Sequence, residues 1–305
     1  MPIDLDVALG AQLPPVEFSW TSTDVQLYQL GLGAGSDPMN PRELSYLADD
    51  TPQVLPTFGN VAATFHLTTP PTVQFPGIDI ELSKVLHASE RVEVPAPLPP
   101  SGSARAVTRF TDIWDKGKAA VICSETTATT PDGLLLWTQK RSIYARGEGG
   151  FGGKRGPSGS DVAPERAPDL QVAMPILPQQ ALLYRLCGDR NPLHSDPEFA
   201  AAAGFPRPIL HGLCTYGRNQ PDRRCIAGLR CRRPWPATAH ALLAWRTRAR
   251  RSRSTCGRTA AAWWPVSSHP LVTTLWCSAE WSWCRHSGAV GAKGLVRLRI
   301  SQKST

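Results

Sequence analysis

Apolar and polar residues alternate from Val16 to Trp20, the period of a half-buried strand. Hydroxyl residues follow at Thr21, Ser22 and Thr23, and a short helix is expected from there through Leu30, because a hydroxyl oxygen satisfies the free N–H groups of a first turn. Residues 36–53 read as loop. Leu55-Pro56-Thr57-Phe58 opens a second helical stretch, expected to run to about Leu67. Beyond a strand-like segment around Val92-Glu93-Val94 come three longer runs: Ala104–Ile113, Ala119–Thr129 and Leu134–Ala145. The breaks between them, Asp115-Lys116-Gly117-Lys118 and Pro131-Asp132-Gly133, have good turn chemistry. Strands joined by short turns imply an antiparallel meander. A helix laid across such a sheet gives an α+β layer.

Residues 147–153, Gly-Glu-Gly-Gly-Phe-Gly-Gly, spell G-x-G-x-x-G. A dinucleotide site needs a helix to open there. Lys154-Arg155-Gly156-Pro157 breaks a helix instead, so residues 147–168 read as a flexible linker. After it the opening pattern recurs. Leu170–Met174 is strand-like, and Pro178 suits the first turn of a helix. Leu183-Tyr184-Arg185-Leu186 repeats Leu27-Tyr28-Gln29-Leu30, and Thr215-Tyr216-Gly217 echoes Thr57-Phe58-Gly59. The shared order suggests two copies of one fold.

The chain of 305 residues holds 33 Lys and Arg against 25 Asp and Glu. That average hides a split near residue 218. Residues 218–305 hold 17 basic and 2 acidic residues, leaving 16 and 23 in residues 1–217. Seven of the ten tryptophans and five of the eight cysteines also lie after residue 217. The Arg and Trp runs there have no helical or strand period. A shift of reading frame in GC-rich DNA explains such a segment, as does a natural Arg-rich extension that binds acidic polymers. If the frame shifted, the tail is expected to have irregular secondary structure and exposed tryptophans, and nucleic acid is expected to meet this chain only through non-specific binding to that tail. Residues 1–217 read as an ordinary, mildly acidic soluble protein with no membrane association. No run approaches the ~18 apolar residues of a membrane span. Cys123, Cys187 and Cys214 are far apart, as reduced cytoplasmic thiols would be. Cys277 and Cys284 with His286 are too widely spaced for a zinc site.

The chemistry concentrates in Gly188-Asp189-Arg190-Asn191-Pro192-Leu193-His194-Ser195-Asp196-Pro197. An acid, an amide and an imidazole fall within six residues at a Pro-bearing turn. Asp189 and His194 are five apart, so both can converge on one water. An imidazole with pKa of about 6.5 suits proton transfer near neutrality. Asn191 can hold that water or orient a partner. Asp-x-Asn-Pro is also a capping turn, and a histidine there can simply pack. Ser195, Asp196 and Pro197 read as the start of the next helix. A second element, Ile209-Leu210-His211-Gly212, follows in order.

This ordered pair resembles the signature of the MaoC-like dehydratases and R-specific enoyl-CoA hydratases. The resemblance covers about residues 12–217. It implies a double hot-dog fold, in which each half wraps a curved antiparallel sheet on a helix. It implies reversible hydration of a trans-2-enoyl-CoA to the (3R)-3-hydroxyacyl-CoA, with an acyl-CoA thioester as substrate, no metal or redox cofactor, and room for a homodimer. Asp189, His194 and Asn191 would be catalytic, and the backbone N–H of Gly212 would be the oxyanion donor. Residues 12–146 form the first half, which lacks the acid because Gly33 falls where Asp189 stands. His87 is given no chemistry. Lys140, Arg141, Lys154 and Arg155 read as a solvated face before they read as contacts to CoA phosphates. Residues 169–217 form a partial catalytic half. Pro221 and the Arg-rich run beyond it stand where an apolar helix body is expected, so the second half is truncated and activity of this chain needs direct assay. The weaker alternative is an inactive acyl-CoA-binding remnant with an anion-binding tail.

Overall fold

In a computed structural model, the structure describes residues 2–157, 170–174, 176–218, 271–277 and 296–300. The first half follows the alternation. Helix α1 (Leu5–Ala8) leads into β1 (Val16–Trp20), and α2 (Ser22–Gly31) follows directly. Thr21 caps α2 in a full capping box with Asp24, which accounts for its sharp start. After α3 (Pro41–Leu44) and a two-stranded ribbon of β2 (Val73–Phe75) and β3 (Ile78–Ile80), four long strands form: β4 (Val85–Glu93), β5 (Gly102–Asp115), β6 (Ala119–Thr129) and β7 (Leu135–Arg146). With β1 they make an antiparallel sheet in the order β1-β5-β6-β7-β4. Both expected turns are present, with Gly117 and Gly133 in the left-handed backbone region that each tight reversal demands.

The segment expected as one helix to Leu67 is instead two 3-10 turns, Pro56–Asn60 and Ala62–Thr64. Two features explain the break. Gly59 lies flat on the Trp137 indole, where even a Cβ would come within 3.1 Å of the ring. The Thr64 hydroxyl bonds back to the Val61 carbonyl at 3.2 Å, which competes with helical pairing. These turns bury Phe58 and Phe65 on the sheet beside Trp20, Trp137 and Tyr28.

The glycine-rich segment departs from the linker reading. The N–H groups of Gly150 and Gly152 donate to the Asp115 carboxylate, both at 2.9 Å, and Gly117 donates to it at 2.7 Å. Residues 147–157 are therefore tied to the end of β5, and no helix opens there. Residues 158–169 lie outside the described residues.

In the second half, β8 (Leu170–Met174) precedes α4 (Gln180–Tyr184), α5 (Pro197–Ala202) and α6 (Gly212–Arg218). Pro178 lies in the turn before α4 rather than inside it, because Gln180 N–H bonds the Leu177 carbonyl and Gln179 is the cap. Two parts of the segment expected to lack order are strands: β9 (Leu271–Cys277) and β10 (Val296–Ile300). They form a three-stranded antiparallel sheet in the order β10-β9-β8. The rest of residues 219–305, with the frame-shift and exposed-tryptophan expectations, lies outside the described residues.

The repeated motifs meet in space. Tyr28 and Tyr184, equivalent by repeat, have ring centroids 6.1 Å apart. A Cβ on Gly31 would touch the Cys187 sulfur, its equivalent, at 3.5 Å. Gly59 and Gly217 each carry a large side chain where a Cβ would stand. The molecule is an α+β double hot-dog with a truncated second half. Among the described residues, no helix is long and apolar enough to cross a membrane.

Candidate active site

Helix α4 tightens into a 3-10 turn, Arg185–Cys187, and ends at Gly188 with φ of 93°. Only glycine fits there. A Cβ would stand 1.9 Å from the Thr64 carbonyl oxygen, and the left-handed backbone would strain it further. Asp189 therefore leaves the helix against the first half's backbone. Its carboxylate accepts weakly from Asn191 N–H at 3.4 Å. The Asn191 side-chain oxygen accepts from Leu193 N–H at 3.0 Å and caps a 3-10 turn, Pro192–His194, that Pro192 pre-shapes. Asn191 thus shapes the loop through its oxygen. Asp196 caps α5, accepting from Glu198 and Phe199 N–H groups, as the helix-start reading expects.

His194 is buried and fixed from two sides. Its Nδ1 lies 2.8 Å from the Ile209 carbonyl, while Ile209 N–H donates to the Leu193 carbonyl at 3.2 Å. A carbonyl only accepts, so Nδ1 carries the proton and Nε2 keeps its lone pair. Leu193 and Ile209 pack with Leu86 of β4, Ala200, Ala203 and Phe205 beneath the loop.

The sequence reading gave His211 no role, yet the structure puts it at the centre. It is fully buried and stacks on His194 with ring centroids 3.7 Å apart and planes 27° apart. Its Nε2 approaches the Asp189 backbone carbonyl at 3.3 Å, and its own carbonyl accepts from Thr215 N–H to start α6. Its position next to Gly212 was the available signal. Gly212 opens α6, where the first N–H groups lack helical acceptors. All four expected residues therefore fall on one loop pair: Asp189, Asn191 and His194 on one segment, Gly212 on the other.

The charges are unequal. Burial raises the Asp189 carboxyl, but His211, His194, the Asn191 N–H and the Arg141 charge outweigh it and hold it below the usual range. Burial pushes His194 down despite the Asp189 charge. Burial and the neighbouring His194 push His211 down to about 3. Near neutrality the site is an ionised carboxylate beside two neutral imidazoles. Asp189, His194 and His211 place ligand atoms within 4.8 Å of one another, a donor set able to hold a divalent ion. Stacked rings direct their lone pairs in near-parallel planes, so one imidazole would have to swing before both reached the same ion.

Arg141 departs from the solvated-face reading. Its Nε lies 3.1 Å from Oε2 of the fully buried Glu90. Lys140 does lie outward, 60% exposed and paired with Glu125.

Residues 18–147 match the MFE-2 hydratase 2 N-terminal domain and residues 160–219 the MaoC like domain. A 3-hydroxyacyl-thioester dehydratase Y of Mycobacterium tuberculosis is 42% identical over 217 residues, spanning 69% of this chain and 72% of that protein. The chain belongs to the MaoC-like dehydratase and hydratase 2 family. A peroxisomal enoyl-CoA hydratase 2 of Arabidopsis thaliana is 40% identical over 70% of this chain and 73% of its own. Among solved structures, a MaoC-like dehydratase from Phytophthora capsici superposes with a TM-score of 0.60 at 28% identity, covering 74% of this chain and 77% of that one. The second family match ends at residue 219, just past the close of α6 and where the composition changes.

Proposed function

We propose that this protein is an enoyl-CoA hydratase, or equally a 3-hydroxyacyl-CoA dehydratase, that adds water to trans-2-enoyl thioesters to give the (3R)-3-hydroxyacyl product in fatty-acid metabolism. The observation that carries the reading is the convergence of an ionised Asp189 and a neutral, Nδ1-protonated His194 on one loop. Relatives named for hydration and dehydration support it.

The chemistry follows from the two protonation states. The nucleophile of this reading is a water taken up between the Asp189 carboxylate and His194 Nε2, whose side chains lie within 4.8 Å of each other. Nε2 accepts a proton as the water oxygen attacks Cβ, and the imidazolium forms beside Asp189, whose charge stabilises it. Electron density moves to the thioester oxygen, where the Gly212 N–H at the start of α6 donates to the developing charge. The imidazolium then returns its proton to Cα. The water's hydroxyl and one proton have been added, and the site is restored with no cofactor. His211 stays neutral beneath His194 and lends it a rigid floor. The reducing environment suggested by scattered thiols fits a cytoplasmic setting, although matched relatives include proteins named peroxisomal.

The test is loss of ultraviolet absorbance of crotonyl-CoA on mixing with the full chain, with chiral analysis of the product. Turnover to the (3R) alcohol supports the reading. A folded chain without turnover, or one giving the (3S) alcohol, overturns it.

A further inference from the structure

The core-facing side of an antiparallel sheet is expected to be apolar, because that side is taken out of water. Cross-strand register shows where the first half breaks this rule. Ala106, Ala128 and Trp137 make one apolar rung across β5, β6 and β7, and Ile113, Ile122 and Ile143 make another. Between them on the same face lie two polar rungs. Thr108, Thr126 and Gln139 form one across β5, β6 and β7, and Ser124, Arg141 and Glu90 form the other across β6, β7 and β4. This band divides the core around Trp137 and Phe58 from the core around Phe110 and Ile122.

One end of the band is satisfied and the other is open. Glu90 is fully buried and accepts from Gln139 Nε2 at 2.7 Å and Arg141 Nε at 3.1 Å. Arg141 Nη2 donates to the Asn60 carbonyl at 3.4 Å, which places the guanidinium under the turn Pro56–Asn60. Even so, 35% of the Arg141 side chain is accessible. A guanidinium that stays reachable beneath a turn lines a cleft. Toward β5, Thr108, Ser124 and Thr126 are only half-buried. The two threonine hydroxyls share one bond at 2.7 Å, whereas the Ser124 hydroxyl and Arg141 Nη1 have no hydrogen-bond partner among the described residues. The cleft also adjoins the catalytic site. Val92 continues the first polar rung on β4 and packs in one cluster with Leu213 and Tyr216 of α6. Gly212 opens that helix, so the band lies about one helical turn, ~5.4 Å, along α6 from the N–H assigned to the thioester oxygen.

We propose that this band is a subsite for the acyl chain, and that it selects thioesters carrying a neutral oxygen, a hydroxyl or a keto group, partway along that chain. The inference rests on the hydratase reading for the thioester itself. Ser124 and Arg141 stand directly opposite each other, and Thr126 is one rung away on the strand of Ser124, so one oxygen meets donors from two strands. The guanidinium N–H groups donate to a keto or hydroxyl oxygen, and the Ser124 hydroxyl both donates and accepts. A carboxylate fits less well, because Glu90 already answers the Arg141 charge and repels a second anion. A plain alkyl chain fits worst. It would strip water from these donors and return no hydrogen bond.

The experiment uses the full chain and two readouts. Calorimetry gives the Kd of dodecanoyl-CoA, of the same thioester with a hydroxyl at its sixth, eighth or tenth carbon, and of the form ending in a carboxylate. These probes lack the double bond and cannot be hydrated. Turnover of the matching trans-2-enoyl thioesters gives kcat and KM separately. At one hydroxyl position binding should be tighter than for the plain chain by roughly tenfold or more. The same preference should appear in KM rather than kcat, because the oxygen is remote from the reacting carbons. Ser124→Ala should bring the two chains near parity. So should Glu90→Gln combined with Arg141→Met, which removes both charges together and leaves neither buried alone. Thr127→Val, on the opposite face of β6, should keep the preference. Equal binding of all chains by the folded protein overturns the proposal, as does binding of none. A preference that survives both changes, or tightest binding of the carboxylate, also overturns it. Selective binding without turnover upholds the subsite and defeats the hydratase reading, whereas turnover without selectivity does the reverse.

Discussion

The two halves of this molecule repeat one pattern and differ by one step of backbone. In the first half, α2 ends and Gly33 takes the left-handed turn. In the second, the left-handed residue is Gly188, one position earlier in the repeat. That step frees the next position, equivalent to Gly33, to be a residue with a side chain, and Asp189 stands there. In the first half that position carries the left-handed turn itself, with φ of 82°. A Cβ on Gly33 would lie 2.5 Å from the Arg218 guanidinium, which reaches over to bond the Leu32 carbonyl. Packing between copies survives the difference, as the Tyr28–Tyr184 contact shows. Duplication therefore preserved the core, while the chemistry depends on where one helix stops.

The comparison is broken most severely by removing the chemistry itself. Asp189→Asn and His194→Ala should each lower turnover of crotonyl-CoA by roughly 10²–10⁴-fold. His66→Ala, on the largely exposed ring of the first half, should leave turnover unchanged. Equal losses in all three would dissolve the division of labour between the halves.

Next in size is Trp137→Ala. This ring is buried against Phe18, Trp20 and Gly59 in the first half, and its loss should cost about 3–5 kcal/mol in urea unfolding. Because the catalytic loop rests on that half, activity and tryptophan fluorescence should be lost in one transition. Two separate transitions would mean that the halves fold independently.

Gly188→Ala should destabilise the chain by more than the roughly 1–2 kcal/mol of left-handed strain, since its Cβ meets the Thr64 carbonyl. Gly204→Ala has the same strain and open space around it, so it should show the strain alone. Matching losses at both positions would remove the claim that the site is seated on the first half.

The smallest effect is in pH. His194 and His211 are held neutral, with folded pKa values below the unfolded value of about 6.5. As pH falls below that value the unfolded chain takes up protons that the folded chain refuses, so stability declines from about pH 6.5 toward about 3, where His211 titrates. His211→Gln should flatten that decline in thermal melts. An unchanged slope would contradict the burial argument.

Much of this was legible because alternation and turn residues are local signals. The strands 119–129 and 16–20 follow from period and punctuation, and Thr21 and Asp196 announce their helices as caps. The loop of Asp189, Asn191 and His194 was legible because close spacing and a proline force convergence. What stayed hidden depends on distant partners. The broken helix at 56–64 reflects the Trp137 ring, some eighty positions away. The anchoring of Gly150 and Gly152 depends on Asp115, and Arg141 looked solvated because nothing nearby in sequence reveals Glu90 opposite it. His211 was passed over because a histidine beside a glycine has no local pattern that reveals stacking.

The contact of Gly188 with Thr64 also has a meaning in time. Synthesis proceeds from the N-terminus, and domains tend to fold as units in that order. The strands and turns that receive the catalytic loop are complete by about residue 146, more than forty residues before Asp189 is made. The loop then emerges from the ribosome beside a finished surface with a carbonyl at the one spot only glycine can approach. The first half acts as a mould for the second. A stalled or damaged first half would leave later residues without a shape to adopt, whatever their identity.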